Sequence, residues 1–289
     1  MWEHFLQNSP LIELALSDTS FHGKLPSSIG QITNLQVLVL FDCRFFGPIP
    51  SSLGNLTKLM SLNLGGHNAF IGDLPSSLTN LTQLHKLGLS HLKSKPERLT
   101  SWLRHLNRLT YLSLNYINLG SENEITSVIA NLTSVTYLDL EYTQLTGRIP
   151  HWLMNQTQLY FLSLSGNQLE SPISPEIAQL ANLFELSLSD NRNLTGNFGI
   201  FLKLKHLRIL RLSGVKLTFL GNHSNNESVP MLNSLNLDSC HLTEFPQFLR
   251  SQNDFNYWSS ATTFKDVYLN GLWMLLKGAY IHSTSLTTT

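Results

Sequence analysis

Aromatic and acidic side chains recur at regular spacing in the middle of this chain. Tyr111, Tyr137 and Phe161 follow one another at intervals of 26 and 24 residues. Aromatic rings with a few polar groups are common anchors of binding surfaces, and carboxylates suit a basic ligand group. The pattern indicates a ligand-binding surface, which we call the central patch. The central patch comprises Tyr111, Asn115, Tyr116, Tyr137, Asp139, Glu141, Tyr142 and Phe161.

The same pattern has a second explanation in structure alone. Parallel strands place equivalent residues side by side, and a ladder of aromatic rings then gains cross-strand packing without any ligand. Both explanations stand at this point. Loss of ligand binding on replacement of Tyr137 and Asp139 would favour the binding surface.

The sequence offers little support for catalysis or metal binding. It contains no Gly-x-Ser-x-Gly, His-Glu-x-x-His or phosphate-binding loop, and its carboxylates Asp139 and Glu141 fall on an open strand surface. His67, His85 and His91 fall in adjacent repeats but lack the spacing of a zinc site. We therefore expect a non-enzymatic protein with no cofactor, no metal site and solvent-exposed histidines.

Composition excludes one class of partner and points to internal repetition. The formal net charge is zero and charged residues make up 13% of the 289 residues, so the basic surface of a nucleic-acid-binding protein is absent. Leucine makes up about one residue in five. Such a bias is typical of one apolar unit used many times.

A Leu-x-x-Leu-x-Leu pattern recurs ten times at spacings of 24 to 26 residues. The alternation predicts a short strand with one face inward, and one unit cannot bury its leucines alone, so the units must stack. Four units continue with Gly-x-Ile/Leu-Pro, which predicts a bend. At about 4.8 Å per strand, ten coils would form a slab of about 45 Å. The ten repeats start at Leu11, Leu35, Leu59, Leu84, Leu109, Val135, Leu159, Leu183, Leu207 and Leu232.

This unit resembles the leucine-rich repeat, and its Gly-x-Ile/Leu-Pro segment resembles the plant-specific subclass. Residues 9–64 are very similar to ectodomains of plant receptor-like proteins, and HLTEFPQFLRSQ at 241–252 fits the same family. The resemblance covers about residues 5–252. It implies a mostly β, α/β-class solenoid with a curved parallel sheet on its concave face and short helical or 3-10 segments on its convex face.

The same resemblance carries expectations about function. It implies a cell-membrane or extracellular recognition protein in plant defence or development, with a peptide or protein ligand on the concave face. A co-receptor kinase would be a further partner. Two alternatives remain: a soluble leucine-rich inhibitor of a secreted microbial hydrolase, and a truncated, non-functional fragment.

The two ends depart from the repeat. We expect residues 1–10 to be the remnant of an upstream repeat or a cover for the array, 11–252 to be the array, and 253–289 to be an irregular tail without a further repeat. The chain shows no secretory signal, and its apolar run at 269–276 is shorter than the roughly 20 residues that cross a bilayer. We therefore expect neither a leader nor an anchor in this chain.

Several coils lack family features. The position three residues after the third leucine is usually Asn, but the sequence has Asn only at Asn167 and Asn191, with His67 in the third coil. The coils that start at Leu84 and Leu109 lack Gly-x-Ile-Pro, which predicts longer, more mobile convex segments, and residues 219–230 read as an exposed loop.

Cysteines and sequons add two expectations. The only cysteines, Cys43 and Cys240, fall eight coils apart, about 38 Å, which is too far for a disulfide. Asn-x-Ser/Thr sequons occur seven times, and four of them keep phase with the repeat at a site that should be exposed. They are glycan acceptors if the protein is secreted, or simply the start of the next turn. The sequon asparagines are Asn55, Asn80, Asn131, Asn155, Asn193, Asn222 and Asn226.

Overall fold

Ten short strands begin two residues after the ten predicted repeat starts, so the predicted repeat phase is confirmed throughout. The computed structural model describes residues 9–92, 96–120, 124–218, 229–241, 257–259 and 280–281. The chain divides into two units, residues 1–144 and 145–289. Each is a stack of coils with a parallel sheet on one side and short helices on the other, as the predicted solenoid requires.

The first unit contains two parallel sheets in its described residues. Strands β1, β3, β5, β7, β8 and β9 pair in that order, and β2, β4 and β6 form a smaller sheet. The strands are β1 (Glu13–Ala15), β2 (His22–Lys24), β3 (Val37–Val39), β4 (Arg44–Gly47), β5 (Ser61–Asn63), β6 (Ala69–Phe70), β7 (Lys86–Gly88), β8 (Tyr111–Ser113) and β9 (Tyr137–Asp139). Its 3-10 helices are Ser27–Gln31, Ser51–Asn55 and Ser76–Asn80, and its α-helices are α1 (Pro96–Leu103) and α2 (Glu124–Ala130).

The second unit repeats this plan. Its larger sheet has the order β11, β13, β15, β17, β18, β19, and its smaller sheet the order β10, β12, β14, β16. The strands are β10 (Thr146–Gly147), β11 (Phe161–Ser163), β12 (Gln168–Pro172), β13 (Glu185–Ser187), β14 (Asn193–Asn197), β15 (Ile209–Arg211), β16 (Lys216–Thr218), β17 (Ser234–Asn236), β18 (Tyr257–Ser259) and β19 (Tyr280–Ile281). Its 3-10 helices are His151–Asn155, Pro175–Gln179 and Phe198–Lys203.

The core of each unit is built from the repeat leucines. The start residue of a coil is buried in nine of the ten coils, and only Leu11, in the first coil, is half-buried. Pro26, Pro50, Pro75 and Pro150 each precede a 3-10 helix in an extended conformation, so the proline fixes the bend between strand and helix. Stacking of coils is what buries these side chains and stabilises the fold.

A ladder of buried polar groups links successive coils, with one correction to the sequence analysis. In the third coil it is Asn68, not His67, that donates to the carbonyl of Leu40, at 2.6 Å. His67 lies between the left-handed Gly66 and Asn68, so this bend is one residue longer than the bend of Gly166 and Asn167, and His67 is exposed. Cys43 donates from Sγ to the carbonyl of Leu16 at 2.8 Å, so cysteine takes the same place.

The second unit contains two equivalent bonds. Asn191 donates to the carbonyl of Leu164 at 2.9 Å, and Cys240 Sγ donates to that of Leu212 at 3.0 Å. Cys240, like Cys43 of the first unit, is buried and carries a free thiol. Both thiols donate within the ladder of their own unit.

The coils that start at Leu84 and Leu109, two of the six without Gly-x-Ile/Leu-Pro, form α-helices. In α1, Leu99, Trp102 and Leu103 are buried while Glu97 and Arg98 are exposed, which is the pattern of an amphipathic helix packed on the core. Residues 93–95 and 121–123, which lead into the helices, lie outside the described residues, as does 219–228 of the predicted loop.

The structure describes two strands within residues 253–289, the predicted irregular tail. β18 pairs in parallel with β17, and β19 pairs with β18, so the sheet continues into residues 253–289. A terminal strand exposes unpaired backbone groups, and further strands satisfy them without any leucine repeat. The sequence pattern could not reveal this because the ladder needs only backbone. The exact ends of the array stay a prediction.

Candidate functional site

Tyr111 and Tyr137 open two neighbouring strands of the first unit and stack on each other. They are register partners in β8 and β9, with ring centroids 4.1 Å apart and planes 14° from parallel. Alternation along each strand turns the first and third residues to solvent while the middle leucine points into the core. The two half-buried rings therefore lie on the solvent side of this sheet, which we call the strand face.

One residue with a left-handed backbone conformation lies in the bend after each of the ten strands that follow the repeat starts. Its φ lies between 53° and 77°, a range that glycine and aspartate tolerate and that costs other side chains about 1–2 kcal/mol. Three coils nevertheless place a ring there. The ten bend residues are Asp18, Asp42, Gly66, His91, Tyr116, Tyr142, Gly166, Asp190, Gly214 and Ser239.

The three rings at these bends form a second stack. Tyr116 lies between its neighbours, with its ring centroid 4.4 Å from that of His91 and 4.7 Å from that of Tyr142. The side chains stay accessible, since Tyr116 is 45% exposed and Tyr142 is 39% exposed. Three strained residues in successive coils thus present ring edges and two phenol groups to solvent.

Asp139 lies beneath these rings rather than among them. It is 7% exposed, and its carboxylate accepts hydrogen bonds from Ser113 Oγ at 3.0 Å, Asn115 Nδ2 at 3.2 Å and the backbone N–H of Glu141 at 3.1 Å. Burial raises the pKa of Asp139, and these hydrogen bonds partly offset that effect. This geometry differs from the expected contact with a basic ligand group. Asp139 instead positions Asn115 and the bend at Glu141.

The remaining members of the central patch divide between the two units. Asn115 and Glu141 are half-buried at the strand-face bends of the first unit, and Asn115 is held by Asp139. Phe161 opens β11 in the second unit and is half-buried. The structure therefore brings together seven predicted residues in the first unit. We call those seven residues and His91 the tyrosine patch.

Tyr111 and Tyr116 of the tyrosine patch are protonated at neutral pH. Burial raises the pKa of Tyr111 above its usual value, and the same cause, followed by the charge of Glu141, raises the pKa of Tyr116. Their hydroxyl groups can therefore donate as well as accept hydrogen bonds. Together with the carboxylate of Glu141, this surface can bind amide, hydroxyl and basic groups.

His91 is the member of the tyrosine patch that sequence reasoning missed as a site residue. Its position, seven residues after a repeat start, is the one that holds Tyr116 and Tyr142 in the next two coils. The signal was therefore present in the repeat register. It was overlooked because the histidines were compared only for metal-ligand spacing.

The other two histidines considered for metal binding have separate contacts. His67 contacts the carboxylate of Asp42 through both its backbone N–H and its ring. His85 Nδ1 lies 2.8 Å from the carbonyl oxygen of Gln83. Within the described part of the chain, no group of three or more His, Cys, Asp or Glu residues is arranged to hold a metal ion.

Five of the predicted glycan acceptors lie on described coils, and all five are exposed: Asn55, Asn80, Asn131, Asn155 and Asn193. Accessibility is what oligosaccharide transfer requires, so their use as glycan acceptors stays a prediction that this geometry permits. Asn222 and Asn226 lie outside the described residues. No helix in the described ranges is long and apolar enough to span a membrane.

Comparison with known proteins identifies the repeat. A profile of the leucine-rich repeat region matches residues 11–248. Receptor-like protein 6 of Arabidopsis thaliana is 34% identical over 90 residues, which are 30% of this chain and 9% of that protein.

Solved structures give the same result. The ectodomain of the Arabidopsis receptor kinase HAESA is 27% identical with a TM-score of 0.63, in a complex with an IDA peptide hormone that carries an N-terminal extension. HAESA in complex with IDA and the co-receptor SERK1 is 27% identical with a TM-score of 0.60. Each match covers 86% of this chain and 42% of the other, so this chain spans less than half the length of these relatives.

Proposed function

This chain belongs to the leucine-rich repeat family, and from that premise we propose that it is the recognition module of a plant cell-surface receptor-like protein. The tyrosine patch on the strand face of the first unit binds an extended peptide or a protein segment. Recognition is non-covalent, and the chain performs no chemistry of its own.

The stack of rings at the bends is the observation that carries this proposal. Glycine or aspartate, which tolerate the left-handed backbone at little cost, fills the same position in six of the other seven coils, and Ser239 fills it in the seventh. His91, Tyr116 and Tyr142 accept strain and remain exposed. Strained residues of this kind cluster at ligand sites, whereas a stack that served only packing has no need to sit at the bend.

The arrangement suits an extended ligand. The stack at the bends and the stack of Tyr111 on Tyr137 provide two parallel rows of rings across successive coils. Tyrosine offers a large apolar area with few rotatable bonds, so little conformational entropy is lost on binding. Between the rows, Asn115 and Glu141 can bind amide groups and one basic group of the ligand.

Relatives support the same function. The HAESA ectodomain binds a peptide hormone, and one of its structures also contains a co-receptor. By analogy we propose a peptide ligand, an extracellular or membrane-surface location with glycans on the exposed sequons, and a co-receptor kinase that completes signalling in defence or development. An endoglycosidase mobility shift of the protein from plant secretory cells tests the location, and no shift would contradict it.

A peptide-display selection tests the binding function. A random peptide library on phage is panned against the full chain, against a double variant with Tyr137→Ala and Tyr142→Asn, and against Met60→Ser. Met60 is an exposed apolar residue of the same unit, outside the tyrosine patch. We expect peptides that are enriched on the wild type and on Met60→Ser but lost on the double variant. Absence of enriched peptides, or their retention on the double variant, would overturn the proposal.

A further inference from the structure

The second unit carries a separate groove at the edge of its sheet, where the chain enters strands β11, β13 and β15. The groove has a volume of about 480 Å³ and combines aromatic, amide and basic side chains. It belongs neither to the tyrosine patch nor to the sequence prediction. We call it the edge groove. It is lined by Gln158, Tyr160, Asn182, Phe184, His206 and Arg208.

We propose that the edge groove docks an acidic segment of a protein partner. An apolar side chain of that segment packs against Tyr160 and Phe184, and a neighbouring carboxylate binds at Arg208 and His206. This surface is independent of the proposed peptide site in the first unit.

The repeat arranges the lining residues in two rows. The row next to the strands is Tyr160, Phe184 and Arg208, and the outer row is Gln158, Asn182 and His206, with one residue from each of three coils. In both rows the side chains of the coils of β11 and β13 are uncharged, and the side chain of the coil of β15 is basic. Two coil steps span about 10 Å, so the apolar and basic ends suit residues a few positions apart in one segment.

The apolar end of the edge groove is exposed and ordered by stacking. The rings of Tyr160 and Phe184 lie 4.8 Å apart and 12° from parallel, and Tyr160 remains 52% exposed. Stacked rings turn their edges outward, and the edge of an aromatic ring carries partial positive charge. Tyrosine and arginine, which lie at opposite ends of this row, are among the residues most enriched at the centres of protein interfaces.

The basic end of the edge groove has no acidic partner among the described residues. Arg208 donates from Nη1 only to the carbonyls of Lys205 and Leu207, and no carboxylate is paired with it. Glu185, which follows Phe184 in the chain, is paired instead with Arg211. A carboxylate from a partner would supply the missing charge and would form a charge-assisted hydrogen bond.

The backbone of this edge is already occupied, which determines how a partner can bind. The carbonyl of Tyr160 accepts from the N–H groups of Phe184 and Glu185, and that of Phe184 accepts from Arg208 and Ile209. A partner strand therefore cannot extend the sheet at these groups. Recognition must come from side chains, which favours a segment with one apolar and one acidic residue over strand addition.

A display selection with charge-reversal variants tests this proposal. A random 12-residue peptide library is panned on the full chain and counter-selected on Arg208→Glu, and the enriched peptides are synthesised. His206→Glu provides a second variant, since His206 is exposed and makes no hydrogen bond in the described structure. Lys216→Glu, which reverses an exposed charge on β16 of the same unit, is the matched control.

We expect enriched peptides that carry Asp or Glu within a few residues of an aromatic or aliphatic residue. Their Kd should rise about tenfold on Arg208→Glu, His206→Glu and Tyr160→Ser, and stay within about twofold on Lys216→Glu. Absence of enrichment, peptides without acidic residues, or an equal loss on Lys216→Glu would overturn the proposal. Polyglutamate that binds as tightly as the peptides would also overturn it, because simple charge attraction would then suffice. The peptides selected on the edge groove should bind the double variant of Tyr137→Ala and Tyr142→Asn as tightly as the wild type. Failure of the proposed function in the first unit and failure of this proposal are therefore distinguishable.

Discussion

Tyr116 and Tyr142 both adopt a left-handed backbone conformation, with φ of 58° and 53°, and their rings stack with centroids 4.7 Å apart. Favourable stacking and unfavourable backbone strain therefore occur in the same two residues. The strain costs about 1–2 kcal/mol for each residue and the stack gains about 1 kcal/mol, so stacking does not outweigh the strain in the stability of the fold. The exposed rings are best explained by what they bind.

The first prediction follows from this balance. Replacing Tyr116 and Tyr142 together by Asn removes the stack but relieves the strain, because Asn tolerates the left-handed conformation. We expect the free energy of unfolding to change by no more than about 1 kcal/mol, measured by urea denaturation. A loss of several kcal/mol would show that the stack is required for folding and would favour the purely structural ladder.

The second prediction concerns Asp139. Its hydrogen bond to the N–H two residues on has counterparts at Asn63, which accepts from Gly65 at 2.9 Å, and at Asn236, which accepts from Asp238 at 3.1 Å. An amide therefore serves at this position. We expect Asp139→Asn to be at least as stable as the wild type at pH 7 and Asp139→Ala to lose about 1–3 kcal/mol, by urea unfolding.

The pH dependence of Asp139→Asn gives the sign of the effect. Burial raises the pKa of Asp139, so the folded chain holds this proton more tightly than the unfolded chain. Its contribution to the free energy of unfolding therefore falls as pH rises from the ordinary value of 3.8 through the raised pKa. We expect the stability of Asp139→Asn relative to the wild type to increase over that range. A relative decrease would contradict burial as the dominant cause.

A third prediction compares two adjacent residues in the bend of the third coil. Asn68 is buried and donates to the carbonyls of Leu40, Leu64 and Gly65, whereas His67 is exposed. We expect Asn68→Ala to lower the free energy of unfolding by about 3 kcal/mol and His67→Ala by less than about 1 kcal/mol. Equal effects in thermal unfolding would contradict the assignment of Asn68 to the ladder.

The fourth prediction concerns the thiol of Cys240. Burial raises its pKa to about 12, so the reactive thiolate is scarce at neutral pH. We expect iodoacetamide to leave Cys240 unmodified in the folded protein and to alkylate it completely in guanidinium chloride, as measured by peptide mass spectrometry. Rapid alkylation under native conditions would show that this coil opens or is packed differently.

Much of the fold could be predicted because the leucine positions repeat at a nearly constant period. All ten strands begin where the period places them, but the exchange of His67 for Asn68 shows its limit, because one extra residue shifts the register of a bend without disturbing the leucines. The α-helices were missed for a similar reason. Absence of the bend-fixing proline at Leu84 and Leu109 indicates a departure but not which element replaces it.

The site was predictable in its position but not in its depth. Alternation placed Tyr111, Tyr137 and Asp139 on the same side of the sheet, and the structure agrees. It could not show that Asp139 is buried, because burial depends on side chains of neighbouring coils such as Ser113 and Asn115, whose hydrogen bonds its carboxylate accepts. The left-handed conformation of Tyr116 and Tyr142 was likewise not evident from the sequence, because tyrosine is uncommon in that conformation.

The affinity of one selected peptide for the tyrosine patch tests the central claim most directly. The Kd of a synthetic peptide enriched on the wild type is measured by isothermal titration calorimetry with the wild type, with the double variant of Tyr137→Ala and Tyr142→Asn, and with Met60→Ser. We predict an increase in Kd of at least about tenfold for the double variant and less than about twofold for Met60→Ser. An unchanged Kd for the double variant, with the fold intact by circular dichroism, would contradict the claim.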